Sequence, residues 1–151
     1  MDGVLCDFDK RYKELFGITA GSARDKKEFH KYFDIFIQKR SFETLDALPG
    51  AMDLVEFLRK ASVPTQILSS TANEENYDEI SKQKLIWLQT HGITFKPNFV
   101  PGKKHKWKFA GPDKLIIDDT QSVIDDWRKA GGLAIWHQDM PTTLGILKMY
   151  V

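Results

Sequence analysis

Apolar positions along the chain change their period in a regular way. From Asp9 to Phe16 they fall on one side as Tyr12, Leu15 and Phe16, and Gly17 stops the pattern, which predicts a helix. Ile18 to Arg24 reads as a loop. Phe29, Phe33, Phe36 and Ile37 recur at helical spacing with Tyr32 alongside, predicting a second helix from Asp25 to Arg40. Ser41 to Pro49 reads as a loop carrying Phe42 and Leu45. Pro49 then introduces a helix from Gly50 to Ala61, with Leu54, Val55, Phe57 and Leu58 as its buried face.

Beyond Ala61 short apolar runs alternate with helical patterns. Thr65 to Leu68 reads as a buried strand ending in Ser69-Ser70-Thr71. A helix follows from about Glu75 to His91, with Ile80, Leu85 and Leu88 inward, Trp87 flanking and Gly92 as its stop. Asn98 to Val100 is a weak strand, turned by Pro101-Gly102. Leu115-Ile116-Ile117 runs straight into Asp118-Asp119, and a helical pattern from Ser122 to Ala130 closes on Gly131-Gly132. Leu133 to Trp136 is a last strand, and Thr142 to Met149 a terminal helix. The alternation predicts an α/β fold, a Rossmann-like parallel sheet with helices on both faces. The aromatic helices before Pro49 stand outside the alternation, so residues 10–48 are expected to form a small helical cap within one domain spanning 1–151.

Composition narrows the classes. The 151 residues suit one domain, and 42% hydrophobic content supports a core. Twenty-two basic side chains against 21 acidic ones give no overall charge that would point to nucleic acid or a membrane. No apolar run approaches the roughly 20 residues of a membrane span. The single cysteine, Cys6, fits a reducing compartment, and Met1 is followed at once by Asp2 with no basic or apolar lead. A cytoplasmic protein with no membrane partner is expected.

The chemistry gathers at predicted strand ends, the edge where open parallel sheets bind ligands. Adjacent Asp118 and Asp119 repel unless a cation or donors accompany them, and Mg²⁺ suits one or two carboxylates with water and a substrate phosphate. The alternative is a strand-ending turn with Asp capping the next helix. Ser69, Ser70 and Thr71 either contact a phosphate or cap a helix. Lys103-Lys104-His105-Lys106-Trp107-Lys108 concentrates positive charge, and three uses stay open: a solvated loop, one lysine aimed at a phosphate, or a nucleic-acid contact with Trp107 stacking.

Taken in order, these pieces resemble the haloacid-dehalogenase-like phosphohydrolase superfamily, and within it the 5′(3′)-deoxyribonucleotidase-like branch. Asp2-Gly3-Val4-Leu5 matches the second half of the first motif, Ser69 after Gln66-Ile67-Leu68 the second, Lys106 the third, and Asp118-Asp119 the fourth. Ser122 to Gly132 also resembles the branch's following helix, and the likeness spans Asp2 to Trp136. The resemblance implies catalytic roles for Asp2, Ser69 and Lys106. It also implies substrate contacts for Phe8 and Ser70, and Mg²⁺ held by Asp2, Asp118 and Asp119. The implied reaction is Mg²⁺-dependent hydrolysis of a small phosphate monoester, a (deoxy)nucleoside monophosphate, through an aspartyl-phosphate.

One departure from the motif bears on activity. The family's nucleophilic Asp stands two residues before its general acid/base, which places it ahead of Met1, together with the strand that carries it. The readings are a clipped chain, a non-catalytic phosphate- or metal-binding relative, or a displaced Asp7-Phe8-Asp9 motif after a short Val4-Leu5-Cys6 strand. A nucleic-acid end-processing phosphatase is the further alternative. Ser122 and Val123 stand where the family carries an acid or Asn beyond the fourth motif.

Overall fold

The computed structural model describes residues 1–22 and 25–151. The end of the predicted loop at Ile18 to Arg24 therefore lies outside the described residues. Asp7 caps helix α1 (Phe8–Phe16) through Lys10 N, and Asp25 caps α2 (Lys26–Gln38) through Glu28 N. Helix α3 (Ala51–Lys60) leads to strand β1 (Gln66–Ser70), α4 (Tyr77–Thr90) and β2 (Lys96–Val100). Strand β3 (Leu115–Asp118), α5 (Gln121–Lys129), β4 (Leu133–Trp136) and α6 (Met140–Leu147) complete the alternation.

Among the described residues both strand pairs are parallel, as the alternation predicts, and one isolated antiparallel bridge joins Cys6 to Ala47. β1 pairs with β2, placing Ser69 beside Phe99, and β3 pairs with β4, placing Asp118 beside Trp136. Among the described residues the strands pair two by two, with no ladder joining β1 to β3. Side chains on successive strand residues point to opposite faces. Ile67, Leu115 and Ile117 pack into the large core, whereas Leu68 and Ile116 pack with Val123, Ile124 and Trp127 of α5. Both faces of the strand layer are thus covered, giving the expected α/β architecture.

The N-terminal helices pack into the same core cluster as the strands. Phe8, Tyr12, Phe29, Phe33, Phe36 and Phe42 form a continuous aromatic cluster inside the large core. The segment expected as a loop after α2 contains a 3-10 turn, Ser41–Thr44, that packs on α4. Gln83 binds Phe42 N and Ile37 O, and Trp87 Nε1 donates to Leu45 O at 2.7 Å.

Two local expectations change. Leu85 is 38% exposed while Lys84 is 2% exposed. Lys84 lies four residues from both Ile80 and Leu88, on the buried stripe, whereas Leu85 is a further 100° around the helix. Trp87 is fully buried instead of flanking the stripe. At the chain start, Val4-Leu5-Cys6 is not a strand. Gly3 to Leu5 form a turn in which Gly3 N donates to Cys6 O and Leu5 N to Met1 O. Among the described residues no helix is long and apolar enough to cross a membrane.

Candidate active site

The parallel arrangement sends the carboxyl ends of β1 and β3 to one edge, and the N-terminal turn closes over it. A cavity of about 660 Å³ opens there. Asp2, Ser69, Lys106, Asp118 and Asp119 all line it, and so do Phe8 and Ser70. The structure therefore brings together the seven side chains to which the motif resemblance gives roles. Phe29, Phe33 and Phe42 add an aromatic wall, with Phe8 stacked on Phe42 at 5.8 Å between ring centres.

Each carboxylate has a different environment. Asp118 ends β3 and is buried; Oδ2 accepts from Lys106 Nζ at 2.7 Å and Oδ1 from Thr120 N at 3.0 Å. Burial works against its charge, but Lys106 and the Thr120 amide outweigh it and hold the carboxyl below its ordinary range. The bond to Thr120 is a turn across two residues; α5 has no side-chain cap. Asp119 carries no lysine partner. Burial, and then the Asp118 charge, raise its carboxyl. It lies against Gly3, whose φ of +78° folds the N-terminal turn onto it so closely that a Cβ there would overlap the carboxylate.

Asp2 is tied to a residue the sequence reading missed. Lys84 Nζ donates to Asp2 Oδ2 at 2.9 Å, Ser69 Oγ at 2.8 Å and the Ser70 carbonyl at 2.7 Å. Burial pushes the Asp2 carboxyl up, but Lys84 and the other nearby positive charges prevail and hold it low. Its second oxygen, Oδ1, is buried and has no hydrogen-bond partner among the described residues. The available signal was the i, i+4 spacing of Ile80, Lys84 and Leu88, which puts a lysine on an apolar stripe. His137 was also missed. It follows β4 directly, lines the cavity, and is held by Thr143 Oγ1 at 2.6 Å from Nδ1. Burial lowers its pKa, against the pull of Asp119 and Asp139.

The basic segment is a 3-10 helix, Lys103–Phe109. Lys106 is its buried member; Lys103 reaches the cavity edge, while Lys104, Lys108 and Trp107 are exposed.

The donor set is compatible with a small divalent cation. Both oxygens of Asp118 are engaged, so at the strand tips the carboxylate atoms that remain are Oδ1 of Asp2 and those of Asp119, whose Oδ1 meets only Thr120 Oγ1 at 3.4 Å; Asp7 and Asp9 line the cavity as well. Among the described residues no three His, Cys, Asp or Glu side chains are gathered as a metal-binding group. Two carboxylates nonetheless suffice for Mg²⁺, which keeps water and substrate oxygens for its other positions.

No family model matches the chain, and no curated protein matches it. Among solved structures, the chain is similar to the crystal structure of a hydrolase from Streptococcus pneumoniae TIGR4. The likeness is at 16% identity with a TM-score of 0.57, covering 98% of this chain and 95% of that one. The two proteins share a fold along nearly their whole lengths.

Proposed function

We propose that this cavity binds and hydrolyses phosphate monoesters with Mg²⁺, nucleoside monophosphates being the substrate class. The observation that carries the reading is the convergence of Asp2, Ser69, Lys106, Asp118 and Asp119 on one cavity with an aromatic wall. The motif resemblance to haloacid-dehalogenase-like phosphohydrolases supports it, as does the hydrolase of like fold. Ser69 and Lys106 supply a hydroxyl and positive charge for phosphoryl oxygens. The resemblance gives Asp2 the general acid/base role; Lys84 occupies its Oδ2, so that role would fall to Oδ1. Asp2 and Asp119 would hold Mg²⁺, which would offset charge on the phosphoryl oxygens. Phe8, Phe33 and Phe42 offer faces for a base. Cys6 is buried and unpaired, which suits a cytoplasmic setting.

The test is phosphate release from nucleoside monophosphates and sugar phosphates with Mg²⁺, by this chain and by one lengthened before Met1 with an apolar strand ending in Asp. Turnover that prefers nucleotides and disappears in Asp2→Asn is the expected result. Equal rates on both substrate sets would remove the nucleotide assignment. Failure of both chains would favour a site that binds phosphate without turning it over. A second reading, processing of nucleic-acid ends, draws on the Lys103–Phe109 helix, where Trp107 is 47% exposed beside a lysine at the cavity edge.

A further inference from the structure

We propose that Lys84 is the positioning residue of this site, fixing Ser69 as a hydrogen-bond donor to a bound phosphoryl group and tethering Asp2 by one carboxylate oxygen. The inference rests on the phosphomonoester reading above and adds a residue that no motif of the chain identifies.

An ammonium has three N–H donors and no acceptor. Those of Lys84 are matched one to one by Asp2 Oδ2, Ser69 Oγ and the Ser70 carbonyl, at 2.7–2.9 Å. None is left for a ligand, so Lys84 acts through its partners. Ser69 Oγ receives a bond from Lys84, and among the described residues its own proton has no acceptor. Ser69 is 1% exposed and lines the cavity. A buried hydroxyl in that state is matched by an anionic oxygen. On the other side Lys84 occupies Oδ2 of Asp2, so that the unpartnered oxygen is Oδ1.

Lys84 is itself held firmly. Gln83, before it, is bonded to Phe42 N and Ile37 O, and Trp87, a turn later, to Leu45 O. Its ammonium also lies 5.1 Å from the centre of the Phe42 ring. A flexible lysine at a surface would satisfy itself with water; here every donor is spent on the site.

The experiment has two arms. In the first, the Lys84 ammonium is followed by ¹H–¹⁵N NMR in the unmodified chain, in Asp2→Asn and in Ser69→Ala. A slowly exchanging signal that shifts in both variants is expected. A signal indifferent to both would overturn the tether. In the second, binding of inorganic phosphate with Mg²⁺ is measured by calorimetry for the unmodified chain, Lys84→Met, Ser69→Ala and the double variant, with circular dichroism as the check on folding. Each single change is expected to weaken binding about tenfold, and the double change little more than either. Losses that multiply to about a hundredfold would show that Lys84 and Ser69 act separately and would overturn the proposal. Should Lys84→Met fail to fold, Lys84→Arg carries the binding arm. Its planar fork keeps the charge but cannot set one nitrogen on three acceptors, so about tenfold weaker binding is again expected, and unchanged binding would refute the role. An intact, coupled ammonium signal in a chain that binds no phosphate would refute the phosphomonoester reading while leaving the tether standing.

Discussion

The α-carbon of Gly3 is packed directly against the Asp119 carboxylate, across the junction between the N-terminal turn and the tip of β3. Two independent requirements therefore fall on one glycine: a φ of +78° and the absence of a Cβ. Gly3→Ala is expected to cost about 1–2 kcal/mol from the left-handed backbone alone. It must also swing Asp119 away. Mg²⁺ affinity, measured by calorimetry, should therefore fall in Gly3→Ala by more than in Asp9→Ala, an acidic change at the cavity edge that leaves this contact alone.

Lys106 and Asp118 form a pair in which both side chains are 8% exposed. Removing one member of such a pair leaves a buried charge alone, which typically costs about 3–5 kcal/mol. Lys106→Met should fall in this range in urea unfolding. Lys106→Met combined with Asp118→Leu should recover much of the loss, because the remaining charge is gone, although Thr120 N then loses its acceptor. Recovery of stability without recovery of phosphate binding would separate the two roles of the pair.

The strand and helix order was legible because apolar runs and periodic stripes are local signals, and Leu115-Ile116-Ile117 or Phe29, Phe33, Phe36 carry them strongly. The strand ends carrying Ser69 and Asp118 followed from the same runs. What sequence could not supply was the phase of α4, whose polar Gln83 and Lys84 are both buried. A stripe interrupted by polar residues has two defensible phases, and tertiary bonds from Gln83 to Ile37 O and Phe42 N select one. His137 was invisible for a different reason. Its meaning comes from Thr143, and from a place beside Asp118 in the parallel pairing, where its amide donates to the Asp118 carbonyl.

The α4 phase gives a direct test. Leu85 is 38% exposed, so Leu85→Gln should cost much less than a core substitution, about 1 kcal/mol or below. Leu88 is 1% exposed, and Leu88→Ala should cost about 2–5 kcal/mol. Urea midpoints for the two variants would settle which residue faces the core, and equal losses would return Leu85 to the buried face.

Stability should decline with acid in two stages. His137 has its folded pKa lowered from the ordinary 6.5, so below that value the unfolded chain takes up a proton the folded one resists. Its contribution is full above the unfolded pKa and is lost as the pH falls through the folded one. Asp118 and Asp2 are lowered from 3.8, so their contribution is full above that value and is lost at still lower pH. Asp119, raised by burial and by Asp118, works in the opposite sense, losing stability as the pH climbs through its folded value. Urea unfolding between pH 3 and 8 should show a first decline starting near the ordinary histidine value. That decline should vanish in His137→Asn, leaving the second in place.

The exposed side of the basic 3-10 helix separates small from polymeric substrates. Lys104, Trp107 and Lys108 are exposed and do not line the cavity, while Lys103, also exposed, reaches its edge beside the buried Lys106. If nucleic-acid ends are the substrate, single-stranded oligonucleotide binding must weaken steeply with salt, because each neutralised phosphate releases counterions. Replacing the three exposed lysines with Ala should then flatten the slope of log affinity against log salt by about 2. Trp107→Ala should weaken binding at every salt concentration without changing that slope, since stacking releases no ions. Hydrolysis of a mononucleotide should be indifferent to Lys104→Ala and Trp107→Ala, neither of which lines the cavity. An oligonucleotide that fails to bind at low salt assigns the outer side of the helix to solvent and leaves Lys103 and Lys106 as its contributions to the site.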